Sequence, residues 1–229
     1  MRRVIIGTPA HTGQVDVFYA NSLCESIRLC TKVGVELRQI FLSFDSIVQN
    51  ARNDLVALAV KSGFDDLIFI DADQEWEPEW ILKLLNYPVD CVGAPVRKKS
   101  DDAELYNVKS STFNIPVDIK TGLLMVDALG CGFLRYSRKA LRVLWDNSEK
   151  YRIAGKEESA WIFDIRPVNG ELVGEDTMVS QKLKEHGIQT YLDAAMNPGH
   201  VGTKKWTGNF SNWLKRAQAQ HVERKAESA

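Results

Sequence analysis

Four short apolar runs in the first 94 residues, the first three each followed by a stretch with helical spacing, constrain this chain more than any other feature. Residues 3–7 read as a buried strand that stops at Thr8-Pro9. Val17, Ala20, Leu23, Cys24, Ile27 and Cys30 then recur at intervals of three and four, which predicts a helix ending at Gly34. A second strand covers 35–42. A second helix runs from about Ser46 to Gly63, with Ile47, Ala51, Leu55, Leu58 and Ala59 on one face. The apolar run 67–70 follows, then a helix whose first turn holds Pro78 and whose inner face carries Ile81, Leu84 and Leu85. A fourth strand spans 90–94. This alternation implies an α/β chain with a mostly parallel central sheet flanked by helices and right-handed crossovers. The second half is smaller and less regular. It offers strands over 105–109, 123–129 and 188–193, and helices over 138–145 and 176–186.

Ligands of such sheets bind beyond the carboxyl ends of the strands, so the loops 8–14, 44–52, 71–77 and 94–101 should hold the site. With 229 residues, no internal repeat and no linker, one main domain is expected. The net charge of −1 conceals an uneven distribution. Seven acids and no base lie between Asp65 and Glu79, whereas the segment from His200 onward carries six Lys/Arg against two Glu. The four cysteines have no paired or zinc-like spacing and sit in apolar surroundings, which predicts buried free thiols. Only three apolar residues separate Met1-Arg2-Arg3 from Gly7, and no run approaches a membrane span. A cytoplasmic protein is the expectation.

Three stretches carry chemistry. In Asp71-Ala72-Asp73 a buried strand delivers two carboxylates to its end, where a bend would let both approach one hard cation, Mn²⁺ or Mg²⁺. The alternative is a polar loop after a buried strand. Glu175-Asp176 opens a helix, where acids either favour the helix dipole or serve as a general base. Asp176 is the preferred base, with Glu175 left open. His200, between glycines on an expected loop, offers a third metal ligand, and Lys204 and Lys205 could neutralise a leaving diphosphate.

Taken in order, Thr8-Pro9-Ala10, Ala51-Arg52-Asn53, Asp71-Ala72-Asp73, Gly130-Cys131-Gly132-Phe133, Gly174-Glu175-Asp176 and His200-x-Gly202 resemble the GT-A glycosyltransferases over residues 3–206. The resemblance implies a GT-A-like, Rossmann-like fold over 1–206, followed by a basic C-terminal helix or tail over 207–229. It also implies a UDP-sugar donor and a divalent metal. Thr8, Pro9 and Ala10 would line the base and ribose pocket, and Arg52 would reach the nucleotide or sugar. Asp71 would touch ribose or sugar and join the metal set; Asp73 and His200 would bind the metal directly. Gly130 and Gly132 would let the backbone pass close to the donor sugar and acceptor, and Asp176 matches the Asp that serves as base in inverting members; retaining relatives carry acids there too, so the stereochemistry stays open.

The chain also resembles compact bacteriophage enzymes, some of which glucosylate hydroxymethylated DNA bases. That implies a host-cytoplasmic setting and 5-hydroxymethylcytosine as acceptor, with Arg97, Lys98, Lys99 and the basic C-terminal segment meeting the DNA backbone. A cell-surface glycan or lipid-linked sugar is the competing acceptor. On the C-terminal segment Phe210, Trp213, Leu214 and Ala217 share one helical face, which docking on the domain would bury. Two other function classes stay open. A sugar-nucleotide nucleotidyltransferase needs a Gly-rich loop with a Lys after the first strand, and residues 8–14 hold one Gly and no Lys. A non-catalytic sugar-nucleotide or DNA binding module would need neither Asp176 nor His200.

Overall fold

Along the first strand Val4 and Ile6 face one side of a central sheet and Ile5 the other, and all three are fully buried. This two-sided burial is why the strands read as continuous apolar runs. The structure, a computed structural model, describes residues 1–155 and 157–227. Its main sheet has seven strands: β1 (Arg2–Ala10), β2 (Val35–Ser43), β3 (Asp66–Ile70), β4 (Cys91–Gly93), β5 (Leu124–Val126), β6 (Phe133–Ser137) and β7 (Thr190–Leu192). Their order is β2-β1-β3-β6-β4-β7-β5. β1 pairs in parallel with β2 and β3, and β4 with β7; β6 and β5 run against their neighbours. The chain therefore has the mixed α/β architecture with a mostly parallel sheet that its periodicity predicts.

Helices cover both faces. α1 (Val17–Lys32) and α3 (Glu79–Asn86) pack Leu23, Cys30, Ile81 and Leu84 against Val4, Ile6, Ile68 and Ile70. On the other face α2 (Val48–Lys61), α4 (Arg138–Asp146) and α5 (Glu175–Glu185) bring Leu55, Leu141, Leu144 and Leu183 onto Ile5, Leu67 and Phe69. α6 (Phe210–Glu227) joins the same core through Phe210, with Trp213 and Leu214 packed beside it. No helix among the described residues is long and apolar enough to cross a membrane.

Two details of the sequence reading need correction. The buried face of α1 runs through Tyr19, Ser22, Leu23, Ser26 and Cys30; Cys24 is exposed, so three thiols are buried rather than four. Ser22 and Ser26 turn inward because Trp76 requires partners: Ser22 Oγ donates to its carbonyl at 2.7 Å, and Trp76 Nε1 donates to Ser26 Oγ at 2.9 Å. Second, residues 133–137 form a strand that periodicity did not reveal. It is inserted antiparallel between β3 and β4, and Arg135 interrupts its apolar run. Buried Arg135 and half-buried Arg2 flank the fully buried Asp66, each donating to the carboxylate at 2.6 Å. That pairing supplies the counter-charge a buried carboxylate needs and ties β1, β3 and β6 together.

Candidate functional site

β3 ends at Ile70, and the chain turns at once: Gln74 N donates to Asp71 O at 3.1 Å. Three further backbone bonds fix the turn. Asp71 N donates to Gly132 O at 3.1 Å, Asp16 N to Ala72 O at 2.9 Å and Val201 N to Asp73 O at 2.8 Å. The first exists because β6 lies beside β3 and places Gly132 against Asp71. A Cβ on Gly132 would meet Asp71 Oδ2 at 3.2 Å, so glycine lets the backbone pass there.

Arg52, buried on α2, is the hub of the site. Its Nη1 donates to Glu175 Oε1 at 2.7 Å and Asp176 Oδ1 at 3.1 Å, and its Nη2 donates to Asp71 Oδ1 at 3.3 Å. Burial favours the neutral guanidinium, but the surrounding acids outweigh that and hold it charged. Three carboxylates share one guanidinium, so the cluster keeps an excess of negative charge. Gly174, the residue before α5, makes no side-chain cap, and both acids of the first turn reach to Arg52 instead. Asp176 Oδ1 also accepts from Cys131 N at 3.2 Å.

Asp73 turns the other way. Its Oδ2 accepts from Lys99 Nζ at 2.6 Å and faces His200 Nε2 at 3.3 Å. Burial alone would raise its pKa, but the bonds from His200 and Lys99 hold it well below the usual carboxylate range. His200 sits on a short strand, Gly199–Val201, rather than on a loop; pairing with Gln74–Glu75 carries it to Asp73. His200 Nδ1 is 2.7 Å from the Arg97 carbonyl. A carbonyl only accepts, so Nδ1 carries the hydrogen; Nε2 donates to Asp73 when it is protonated as well, and would turn a lone pair there only if it gave up that proton to a bound cation. Among the described residues no three His, Cys, Asp or Glu side chains gather to hold a metal. Asp71 belongs to Arg52, so Asp73 and His200 are the pair that could bind one, with remaining positions filled by water or phosphate oxygens.

Two cavities meet at this cluster. The larger, about 550 Å³, opens beyond β1, β2 and β3 and is lined by Pro9, Gln14, Asp45, Asp71, Asp73 and Lys99, with Arg52 at its floor. The smaller, about 90 Å³, lies beside Asp176, Gly130, Asn107, Lys98 and Lys109. Of the predicted base and ribose residues, Pro9 lines the larger cavity. Thr8 is fully buried, its hydroxyl bonded to Tyr19 at 2.5 Å and Gln39 at 3.1 Å, and Ala10 is buried too. His11, Gln14 and Asp45 line the cleft instead. Their loops were legible in the sequence; their side chains had no motif to mark them.

Lys204 and Lys205 do not reach the cleft. Lys204 pairs with Asp101, and Lys205 pairs with Glu75 at 2.7 Å and lies over the Phe18 ring. Lys99, expected on a DNA-facing run, takes the place beside Asp73. Arg97 donates to Thr207 O, Lys98 lines the smaller cavity and Lys99 the larger, so the three basic residues diverge and form no continuous strip.

No protein-family model and no curated protein matches the chain. Solved structures do. A197 from STIV is similar over 88% of this chain and 86% of its own, at 17% identity and a TM-score of 0.52. A glycosyltransferase involved in the glycosylation of the major capsid of PBCV-1 matches over 64% of this chain and 66% of its own, at 9% identity and a TM-score of 0.36. A Bacillus anthracis protein described as a glucose-1-phosphate thymidylyltransferase matches over 87% and 89%, at 9% identity and a TM-score of 0.45. The likeness to A197 is one of fold.

Proposed function

We propose that this chain is a glycosyltransferase that moves a sugar from a nucleoside-diphosphate donor onto an acceptor hydroxyl. The observation that carries the reading is the position of Asp176: it borders the smaller cavity, while Arg52 links it to Asp71 in the larger one. The larger cavity is within the size range of small-molecule sites. A donor there would direct its diphosphate toward Lys99, Asp73 and His200 and its sugar toward Asp71. An acceptor hydroxyl in the smaller cavity would give its proton to Asp176 as its oxygen attacks the anomeric carbon and the bond to the diphosphate breaks. Arg52 and Cys131 N–H act as positioning groups for that carboxylate. A divalent cation held by Asp73 and His200 would supply positive charge to the departing diphosphate. Lys99 is the residue of this chain that can meet the same charge directly.

Nucleotidyl transfer is the second reading, because an acidic cleft beyond a parallel sheet serves it as well. The loop 8–14, with one Gly and no Lys, offers little to cradle a triphosphate. Incubation with UDP-glucose, UDP-galactose and UDP-N-acetylglucosamine separates the two. Release of UDP supports glycosyl transfer; formation of UTP on adding pyrophosphate, without UDP, would replace it. 5-Hydroxymethylcytosine draws no support from the divergent basic run, which leaves a glycan or lipid-linked acceptor as the preferred class.

A further inference from the structure

The smaller cavity adjoins a second space. Its wall residue Tyr106 packs its ring on Phe210 at 5.1 Å and on Trp213 at 5.3 Å, and both of those line a neighbouring groove of about 210 Å³. Val108 lines both spaces. The groove is otherwise walled by Phe113, Ile115 and Leu214, with Ser110, Ser111 and Thr112 at its rim. It is a built trough. Gln218 Nε2 on α6 donates to Phe113 O at 2.8 Å, and the Phe113 ring stacks on His221 at 4.6 Å. Phe113 nevertheless remains 47% exposed, so the trough opens to solvent along one edge.

The charges beside the cavity point the same way. Lys99, Lys204 and Lys205 are all ion-paired. Lys98 and Lys109, which border the smaller cavity, form no ion pair among the described residues and are exposed. Two unpaired ammonium groups beside a small cavity, with an apolar trough on the other side of the Tyr106 and Val108 wall, match a ligand with an anionic head and a hydrocarbon tail. A hydrocarbon chain would bury the trough's aliphatic and aromatic wall along its length, the larger apolar gain.

Resting on the transferase reading, we propose that the acceptor is an amphiphile: a hydroxyl-bearing, phosphate-containing head that enters beside Asp176 between Lys98 and Lys109, with an alkyl chain laid in the groove between Phe113 and α6. The head presents its hydroxyl to Asp176. The chain supplies binding energy remote from the reacting atoms and fixes the head's register.

The test compares lysophosphatidylglycerol, below its micelle concentration, with glycerophosphoglycerol, which has the same head and no chain. Binding is measured by calorimetry without donor. The lysolipid should bind roughly a hundred-fold more tightly, the gain expected from burying about four methylenes. Phe113→Asp, at a position 47% exposed and checked for an unchanged melting temperature, should remove most of that difference, and Lys98→Ala with Lys109→Ala should weaken both ligands. Equal affinity for the two ligands, lysolipid binding indifferent to Phe113→Asp, or preference for a neutral oligosaccharide would overturn the proposal. Donor turnover is read separately, as UDP release. UDP release with no lysolipid preference sinks the amphiphile alone; chain-dependent binding with no turnover of any donor sinks the transferase reading and leaves the groove.

Discussion

Lys99 Nζ stands 2.6 Å from Asp73 Oδ2, on the oxygen that faces His200 Nε2. The ammonium thus occupies the place a metal cation would take, and it must move for one to bind between the carboxylate and the imidazole. Once displaced, it would be free for the phosphates of the proposed donor. Lys99→Ala should therefore raise the affinity for Mn²⁺ alone by roughly ten-fold while weakening donor binding. Paramagnetic resonance of free Mn²⁺ reads the first effect and calorimetry with the UDP-sugar reads the second. Unchanged Mn²⁺ affinity would show that Lys99 is not the competing charge.

The loop 94–101 was expected to border the site, but spacing gave the diphosphate-facing role to Lys204 and Lys205 rather than Lys99, for a physical reason. Lys204 and Lys205 are near His200 along the chain, yet the strand pairing that brings His200 to Asp73 directs them to Asp101 and Glu75. Lys99 arrives from a distant loop, set by the bridge of Arg97 with Tyr106 and the bond from Lys98 N to Leu105 O. Local periodicity recovered α2, α3, α4 and α5 and the parallel strands, because each buries a face that repeats with its own period. It could not recover β6, whose place between β3 and β4 is set by long-range pairing and whose Arg135 makes sense only beside Asp66. Asp71 and Asp176 were legible as acids in suggestive places. That one buried Arg52 joins them was not, since its α2 neighbours read simply as a helix face.

Arg52→Met tests the hub. The substitution keeps much of the volume and removes the one guanidinium shared by Asp71, Glu175 and Asp176. Loss of one partner from a fully buried ion pair costs about 3–5 kcal/mol; the carboxylates here are partly exposed, so a smaller loss, about 2–3 kcal/mol, is expected. Urea denaturation should show a loss of that order, and Arg52→Lys should recover only part, because an ammonium lacks the fork that spans α5 and Asp71. A variant as stable as the parent would mean that the acids repel too little to need Arg52.

Asp193, just past β7, gives a pH dependence of known sign. Burial would raise its pKa, but Lys83 at 2.6 Å, Tyr87 Oη at 2.7 Å and the Ala195 N–H at 2.9 Å outweigh that and depress it. A carboxyl whose folded pKa is depressed contributes stability above its unfolded value, about 3.9, and loses it as pH falls through the folded one. Asp193→Asn should be less stable than the parent at pH 7, and the gap should close as pH is lowered below about 4. A gap constant from pH 7 to pH 3 would exclude this linkage.

The thiols separate by burial. Cys24 is exposed on α1, whereas Cys30, Cys91 and Cys131 are fully buried and burial pushes the Cys30 thiol up to about 11. A thiol-specific chromogenic reagent at pH 8 should modify one cysteine rapidly in the native protein and all four in denaturant. Loss of the fast phase in Cys24→Ser assigns it; fast reaction of a second thiol would mean that the core opens readily.

The decisive substitution for the chemistry is Asp176→Asn. An asparagine carbonyl can still accept from Arg52 and Cys131 N–H, so the side chain keeps its anchors and loses its capacity to take a proton. If the carboxylate removes the acceptor proton, transfer should fall by roughly 10²–10⁴ while donor affinity changes little, since Asp176 borders the smaller cavity and not the larger one proposed for the donor. Glu175→Gln provides the control: its carboxylate also binds Arg52 but does not line that cavity, so its loss should cost stability more than turnover. The pair is measured by single-turnover transfer at saturating donor, with donor affinity taken separately by calorimetry. A collapse of donor affinity in Asp176→Asn at unchanged turnover would instead place the carboxylate in donor binding. Equal, severe losses of turnover in both variants, at unchanged stability, would mean that the two acids act through Arg52 as one unit and that neither alone is the base.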